Sequence, residues 1–134
     1  MKSLPVLVKV ARRRIDDVSR ELAQARSGID ALMSERAISI ARLSHEVAMA
    51  SETPAMMSML PAFISRHKAH IDRIDNDLIA IEERVSDIRE RLNEAYREKS
   101  RLETVLTHHR EAAAREDAAR EQAMFDEVAL TRRR

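Results

Sequence analysis

The sequence predicts an all-α protein: two long helices folded into an antiparallel coiled-coil hairpin, with a helical overhang at the C-terminus. Three observations carry that expectation. Charged residues make up 35% of the chain and aromatics 2%, with one glycine and three prolines. That composition belongs to long Ala/Glu/Lys/Leu/Arg helices, because sheets need clusters of Gly, Pro, Asn and Asp at their turns. Apolar residues recur alternately three and four apart through both halves, and two prolines fall together in one central stretch. The length leaves room for a single domain, residues 1–134. The first helix is expected over about 3–50, the connection over about 51–61 and the second helix over about 62–130.

In the first half, Leu4, Val8, Ala11, Ile15, Val18, Leu22, Ala25, Ile29 and Leu32 keep the three-four rhythm with no polar member. Such spacing holds one narrow seam against a partner helix and predicts left-handed supercoiling. Beyond it, a one-residue skip at Leu32–Met33 lets the rhythm resume at Ile40, Leu43, Val47 and Ala50. Gly28 lies inside this helix at a cost of about 1 kcal/mol relative to Ala, and a local bend is expected there. The opening MKSLPVLVKVARRR resembles a signal peptide in Lys2 and the run Leu4–Val8. Lys9 cuts that run short, and Arg12, Arg13 and Arg14 stand where a small-residue cleavage site belongs, so the segment reads as a helix start.

The stretch SETPAMMSMLPAF, residues 51–63, breaks the pattern. Pro54 and Pro61 lack an N–H and clash with the preceding turn, so neither fits a helix interior. Ser51 or Thr53 suits the cap of a short turn starting at Pro54, and Ser58 precedes a helix that takes Pro61 in its first turn.

From Ile64 the rhythm runs through His67, Ile71, Ile74, Leu78, Ile81, Val85, Ile88, Leu92, Ala95, Lys99, Leu102, Leu106, His109 and Ala113 without slipping. A hairpin reversing near residue 56 places opposite each other residues whose numbers sum to about 112, since both helices rise equally per residue. Leu4 then faces the neighbourhood of His108 and His109, and the stripe of large residues stops at Leu106. Residues from about 111 onward are therefore expected to overhang as a lone helix roughly 30 Å long. Its Ala, Glu and Arg content supports helix without a tertiary partner, although such a helix is marginal by itself. Met124 and Val128, an i, i+4 pair flanked by Phe125, have no partner within the chain and read as an interface.

Nothing in the sequence reads as catalytic. Carboxylates alternate with Arg and Lys along helix faces, as in EERVSDIRER, which is the pattern of solvated i, i+4 pairs. No Gly-rich phosphate loop is present, and a two-helix hairpin encloses no pocket. His67 and His70, with His45 across the hairpin, could hold zinc only with a further ligand, and no acidic or thiolate one is evident. His108 and His109 are adjacent and point to different faces. No metal or cofactor is expected. The chain has no cysteine, so disulfides and thiolate sites are excluded and a reducing compartment is permitted. No apolar run reaches the roughly 20 residues of a membrane span, so membrane insertion is not expected. The arginine triplets 12–14 and 132–134 suit phosphates, but a net charge of +1 and few aromatics point instead to an acidic protein surface. Two apolar patches lie off the seam: Val6, Leu7 and Val10 near Val105, and Met56, Met57, Met59, Leu60 and Phe63 at the bend.

Three segments carry a family resemblance that spans the chain. LPVLVKVARRRIDDVSREL looks like a leucine-spaced basic opening helix, and PAFI at 61–64 like the start of a second helix after a variable connection. MFDEVALTRR, residues 124–133, has apolar residues, Asp126–Glu127, Val128, Ala129 and then Arg132 and Arg133. Together they resemble the FliJ family of flagellar protein-export components and the related stalk proteins of type III secretion injectisomes.

The resemblance implies a cytoplasmic, non-enzymatic stalk, peripherally associated with the export apparatus at the inner membrane and monomeric when free. Proteins of this family are similar in shape to the central shaft of rotary ATPases. Their terminal end enters the hexameric export ATPase and couples it to the membrane export gate, and some also engage export chaperones. Carried onto this chain, the ATPase contact falls on Met124, Phe125, Asp126, Glu127, Val128, Arg132 and Arg133 and the Arg134 tail, with Arg12, Arg13 and Arg14 nearby. The gate or chaperone contact falls on Phe63, Met57 and Met59. The alternatives are an injectisome stalk, a structural coiled coil that dimerises into a four-helix bundle, and a nucleic-acid-binding hairpin.

Overall fold

The computed structural model describes residues 3–133. Lys2 of the leader-like opening and Arg134, last of the C-terminal arginine triplet, lie outside the described residues together with Met1. Helix α1 spans Leu4–Glu52, a 3-10 turn spans Pro54–Met56, and helix α2 spans Leu60–Arg132. The fold is an all-α hairpin, with no strand among the described residues. Contacts divide the chain into two units, Asp17–Leu92 and Met1–Asp16 with Asn93–Arg134.

In the 17–92 unit the two helices pack antiparallel. Arg91 reaches Glu21 at 2.7 Å, Arg36 reaches Asp75 at 2.6 Å, and His70 lies 3.2 Å from Glu35. The numbers of the first two pairs sum to 112 and 111, as equal helical rise predicts, whereas His70 reaches back along the hairpin to Glu35. The core is Val18, Leu22, Ala25, Val85 and Ile88, with Ile29 and Leu92 half-buried against it. Burying a Val, Leu or Ile side chain of this kind contributes about 1.5–3 kcal/mol.

The skip expected at Leu32–Met33 does not occur. Half-buried Leu32 and Arg36, buried Ser39, half-buried Leu43, Glu46 and Val47 and buried Ala50 continue the seam, so Leu43, Val47 and Ala50 lie inside as expected and Ile40 does not. Ser39 is 7% exposed while Ile40, the residue expected inside, is 39% exposed. A skipped residue would rotate the rest of an unbroken helix by about 100° relative to its partner. Keeping the helix continuous instead leaves Arg36, Ser39 and Glu46 along the seam and turns Ile40 outward.

At the bend, Thr53 takes extended backbone angles as the residue before Pro54, without a side-chain cap. Ser51 does not cap the turn; its hydroxyl donates to the Val47 carbonyl at 2.9 Å within α1. Pro61 sits in the first turn of α2, where its missing N–H costs no hydrogen bond.

In the other unit, Leu4, Val8, Ala11 and Ile15 are buried, as is Ala95. Lys99, Leu102 and Leu106 are half-buried, and Arg12 pairs with Glu103 at 3.0 Å. From Thr107 to Arg133 every residue is exposed. His109 and Ala113 continue the heptad spacing there, but a seam is buried only where a second helix lies against it.

Candidate functional site

The exposed part of α2 is held by local forces. Ala112–Ala114, Ala118, Ala119 and Ala123 are strong helix formers, so backbone propensity replaces packing. Arg120 bridges Glu116 at 3.9 Å and Asp117 at 4.0 Å, pairs worth a few tenths of a kcal/mol at such exposure. Gln122 donates to the Asp126 carboxylate at 3.1 Å, and the Thr131 hydroxyl donates to the Glu127 carbonyl at 2.9 Å.

Upon this scaffold Met124 is 66% exposed and Phe125 68%, with Val128 and Leu130 also exposed. Met124 and Val128 lie on one stripe, four residues apart. Leu130 is a further member that the sequence expectations lacked, although the rule that singles out Met124 applies to it equally: a large apolar residue beyond the end of the seam has no internal partner. Asp126 and Glu127 are exposed, as are Arg132 and Arg133, which form no ion pair among the described residues.

The arginines of the opening helix stand elsewhere. Arg12 pairs with Glu103, whereas Arg13 and Arg14 are exposed. Glu103 precedes Met124 on α2 by about 30 Å of helical rise. The Arg12–Arg14 cluster and the apolar tip are thus two separate surfaces. Arg14 lines an open groove of 470 Å³ with Ala11, Glu94, Arg97, Glu98 and Arg101. Val6, Leu7, Val10 and Val105 are exposed.

At the bend, Met57 and Met59 are exposed, while Phe63 is half-buried and packs on His67 with ring centroids 4.3 Å apart. Met56, Met59, Leu60 and Phe63 line a groove of 190 Å³. The acidic neighbour that the sequence did not reveal is Glu35, across the hairpin from His70. No group of three or more metal-ligating side chains occurs among the described residues. Among the same residues, no helix is long and apolar enough to cross a membrane.

No curated protein and no solved structure matches the chain. The model of one protein family, described as Flagellar FliJ protein, matches residues 1–134, the full length of the sequence. An all-α hairpin whose second helix continues bare beyond the first, matched from end to end by that model, places the chain in the FliJ family and makes it a component of flagellar protein export.

Proposed function

We propose that this chain is the stalk of a flagellar export apparatus, inserting the bare end of α2 into the hexameric export ATPase and coupling that ring to the membrane export gate. One observation carries the reading: Met124, Phe125, Val128 and Leu130 crowd the end of a helix and stay exposed among the described residues. Apolar side chains so exposed favour a receiving surface, and burial of each there supplies about 1.5–3 kcal/mol. A ring pore lined with apolar residues receives a lone helix without requiring a second helix from this chain. Arg132 and Arg133 extend the contact, and Arg12, Arg13 and Arg14 form a second, basic contact nearer the hairpin. Gate or chaperone contact is assigned to the bend, with Phe63, Met57 and Met59. The stalk works in the cytoplasm beside the inner membrane, carries out no catalysis, and is a monomer when free.

The test is capture of the purified hexameric export ATPase by the full chain and by a chain lacking residues 111–134. Retention of the ring by the full chain alone supports the stalk. Equal retention by both removes the assignment. A stable dimer burying residues 111–134 points instead to a structural coiled coil.

A further inference from the structure

The 17–92 unit leaves an apolar face uncovered. Met33, Arg36, Ala37, Ile40, Ala41 and Leu78 line a groove of 560 Å³ in which Met33 is 58% exposed. Its origin is the polar stretch of seam: Arg36 and Ser39 take inward positions, and Met33, Ala37 and Ile40 each follow a seam residue by one. A step of one residue turns a side chain about 100° from the seam. In antiparallel helices these positions turn to the same side, so Ile79, one past Leu78 and 57% exposed, joins the patch from α2.

The same rows fix the charge around it. On α2, Asp72, Asp75 and Glu82 flank Ile79 at helical spacing, and on α1 Asp30 precedes Met33. Only Asp75 is neutralised, by Arg36 at 2.6 Å; Asp30, Asp72 and Glu82 form no ion pair among the described residues. Arg26 and Lys68 stand one turn beyond Asp30 and Asp72 respectively, on the sides away from the groove, so three acids face two bases along these rows. The apolar floor is thus bordered by net negative charge.

We infer that this face docks an amphipathic helix of a partner protein, one with apolar residues at i, i+4 and i+7 and Lys or Arg along its flanks. The apolar ridge fills the groove lined by Met33, Ile40 and Leu78 and extends over the exposed Ile79, as in helix-in-groove recognition. The basic flanks meet Asp72 and Glu82, setting orientation and excluding acidic helices. None of these residues belongs to the proposed ATPase or gate contacts, so the inference stands apart from the stalk reading.

Two labelled helical peptides test it by fluorescence anisotropy against the full chain. Both carry leucines at i, i+4, i+7 and i+11; one has Lys and Arg flanks, the other Glu. The basic peptide binds at least roughly tenfold more tightly, and its affinity falls as salt is added. Ile40→Ser combined with Ile79→Ser, both at exposed positions, leaves helicity by circular dichroism unchanged and weakens binding by at least roughly tenfold. Asp72→Lys with Glu82→Lys reverses the preference between peptides. Equal binding of both peptides overturns the proposal, as does binding indifferent to these substitutions. Light scattering that finds a dimer, lost on Ile40→Ser, also overturns it by making a second copy the occupant.

Discussion

A β-carbon built on Gly28 would lie 2.8 Å from the Cδ1 methyl of Ile81, so the isoleucine occupies the space that any other residue at 28 would fill. Gly28 has no positive φ, and α1 passes through it unbroken, so neither backbone freedom nor a break in the helix explains it. Packing does. Gly28→Ala recovers about 1 kcal/mol of helix propensity but must displace the Ile81 methyl, leaving the net change small. Ile81→Val alone costs about 0.5–1.5 kcal/mol and removes that methyl. The double variant is therefore more stable than the two single effects predict, by about 1 kcal/mol. Urea unfolding of all four proteins measures this coupling, and strict additivity would show that the close approach has no energetic weight.

Ile88 is 2% exposed, at the centre of the Val18–Leu22–Val85 cluster. Ile88→Ala costs about 2–5 kcal/mol by leaving a cavity. Ile88→Asp places an unpaired carboxylate between the helices and unfolds the hairpin at ordinary temperature. Far-UV circular dichroism during melting reads both. A wild-type melting curve for the aspartate variant would mean that the seam is not where stability resides.

The hairpin was legible because periodicity reports burial directly: every seam position from Ile64 to Leu106 is buried or half-buried. The rhythm misled where polar residues take inward positions. Ile40 looks like a core residue beside Ser39, yet helix continuity decides which of them faces inward, and continuity is a property of the whole of α1. Pairwise side-chain geometry was invisible for a similar reason. That Glu35 meets His70 while Arg36 meets Asp75 depends on register, and the seam pattern gives register only to within about a turn. For the candidate surfaces, exposure of Met124, Phe125 and Val128 could be anticipated from the length mismatch between the helices. The distance separating Arg12–Arg14 from that tip needed the observed pairing of Arg12 with Glu103.

Replacing Met124, Phe125 and Val128 together with Ser leaves the hairpin's melting temperature unchanged, because the three side chains are exposed and pack on nothing internal. Helicity of the terminal segment falls slightly through lost propensity. On the proposed ATPase contact, affinity for the export ATPase weakens by at least roughly a hundredfold, two apolar anchors each contributing about 1.4 kcal/mol. Calorimetry against the purified ATPase checks this, and an unchanged affinity would move the contact away from the tip.

The hydrogen bond from Arg36 to Asp75, and then the carboxylate's charge, hold the Arg36 guanidinium above its ordinary pKa. A raised folded-state pKa adds stability that is fully present below the unfolded value and disappears only as pH rises through the folded one. For arginine that window lies far into alkali. Arg36→Met consequently lowers the melting temperature by the same amount from about pH 6 to pH 9. The difference shrinks with added salt, since both partners are substantially exposed. Melts across pH and salt test both statements; a deficit that vanishes by the upper end of that pH range would assign the effect to another group.

His67 presents the clearest conflict between residue and position. It occupies a seam site in α2, and its Nδ1 is buried without a hydrogen-bond partner. A buried unsatisfied polar atom costs about 1–3 kcal/mol. Against that cost stands the tilted packing of the imidazole on Phe63, with 42° between the rings. Leucine at 67 would fill the seam, carry no polar atom and favour helix, so His67→Leu stabilises the hairpin by about 1–2 kcal/mol. Urea unfolding decides the matter: a loss of stability would mean that stacking on Phe63 outweighs the orphaned nitrogen.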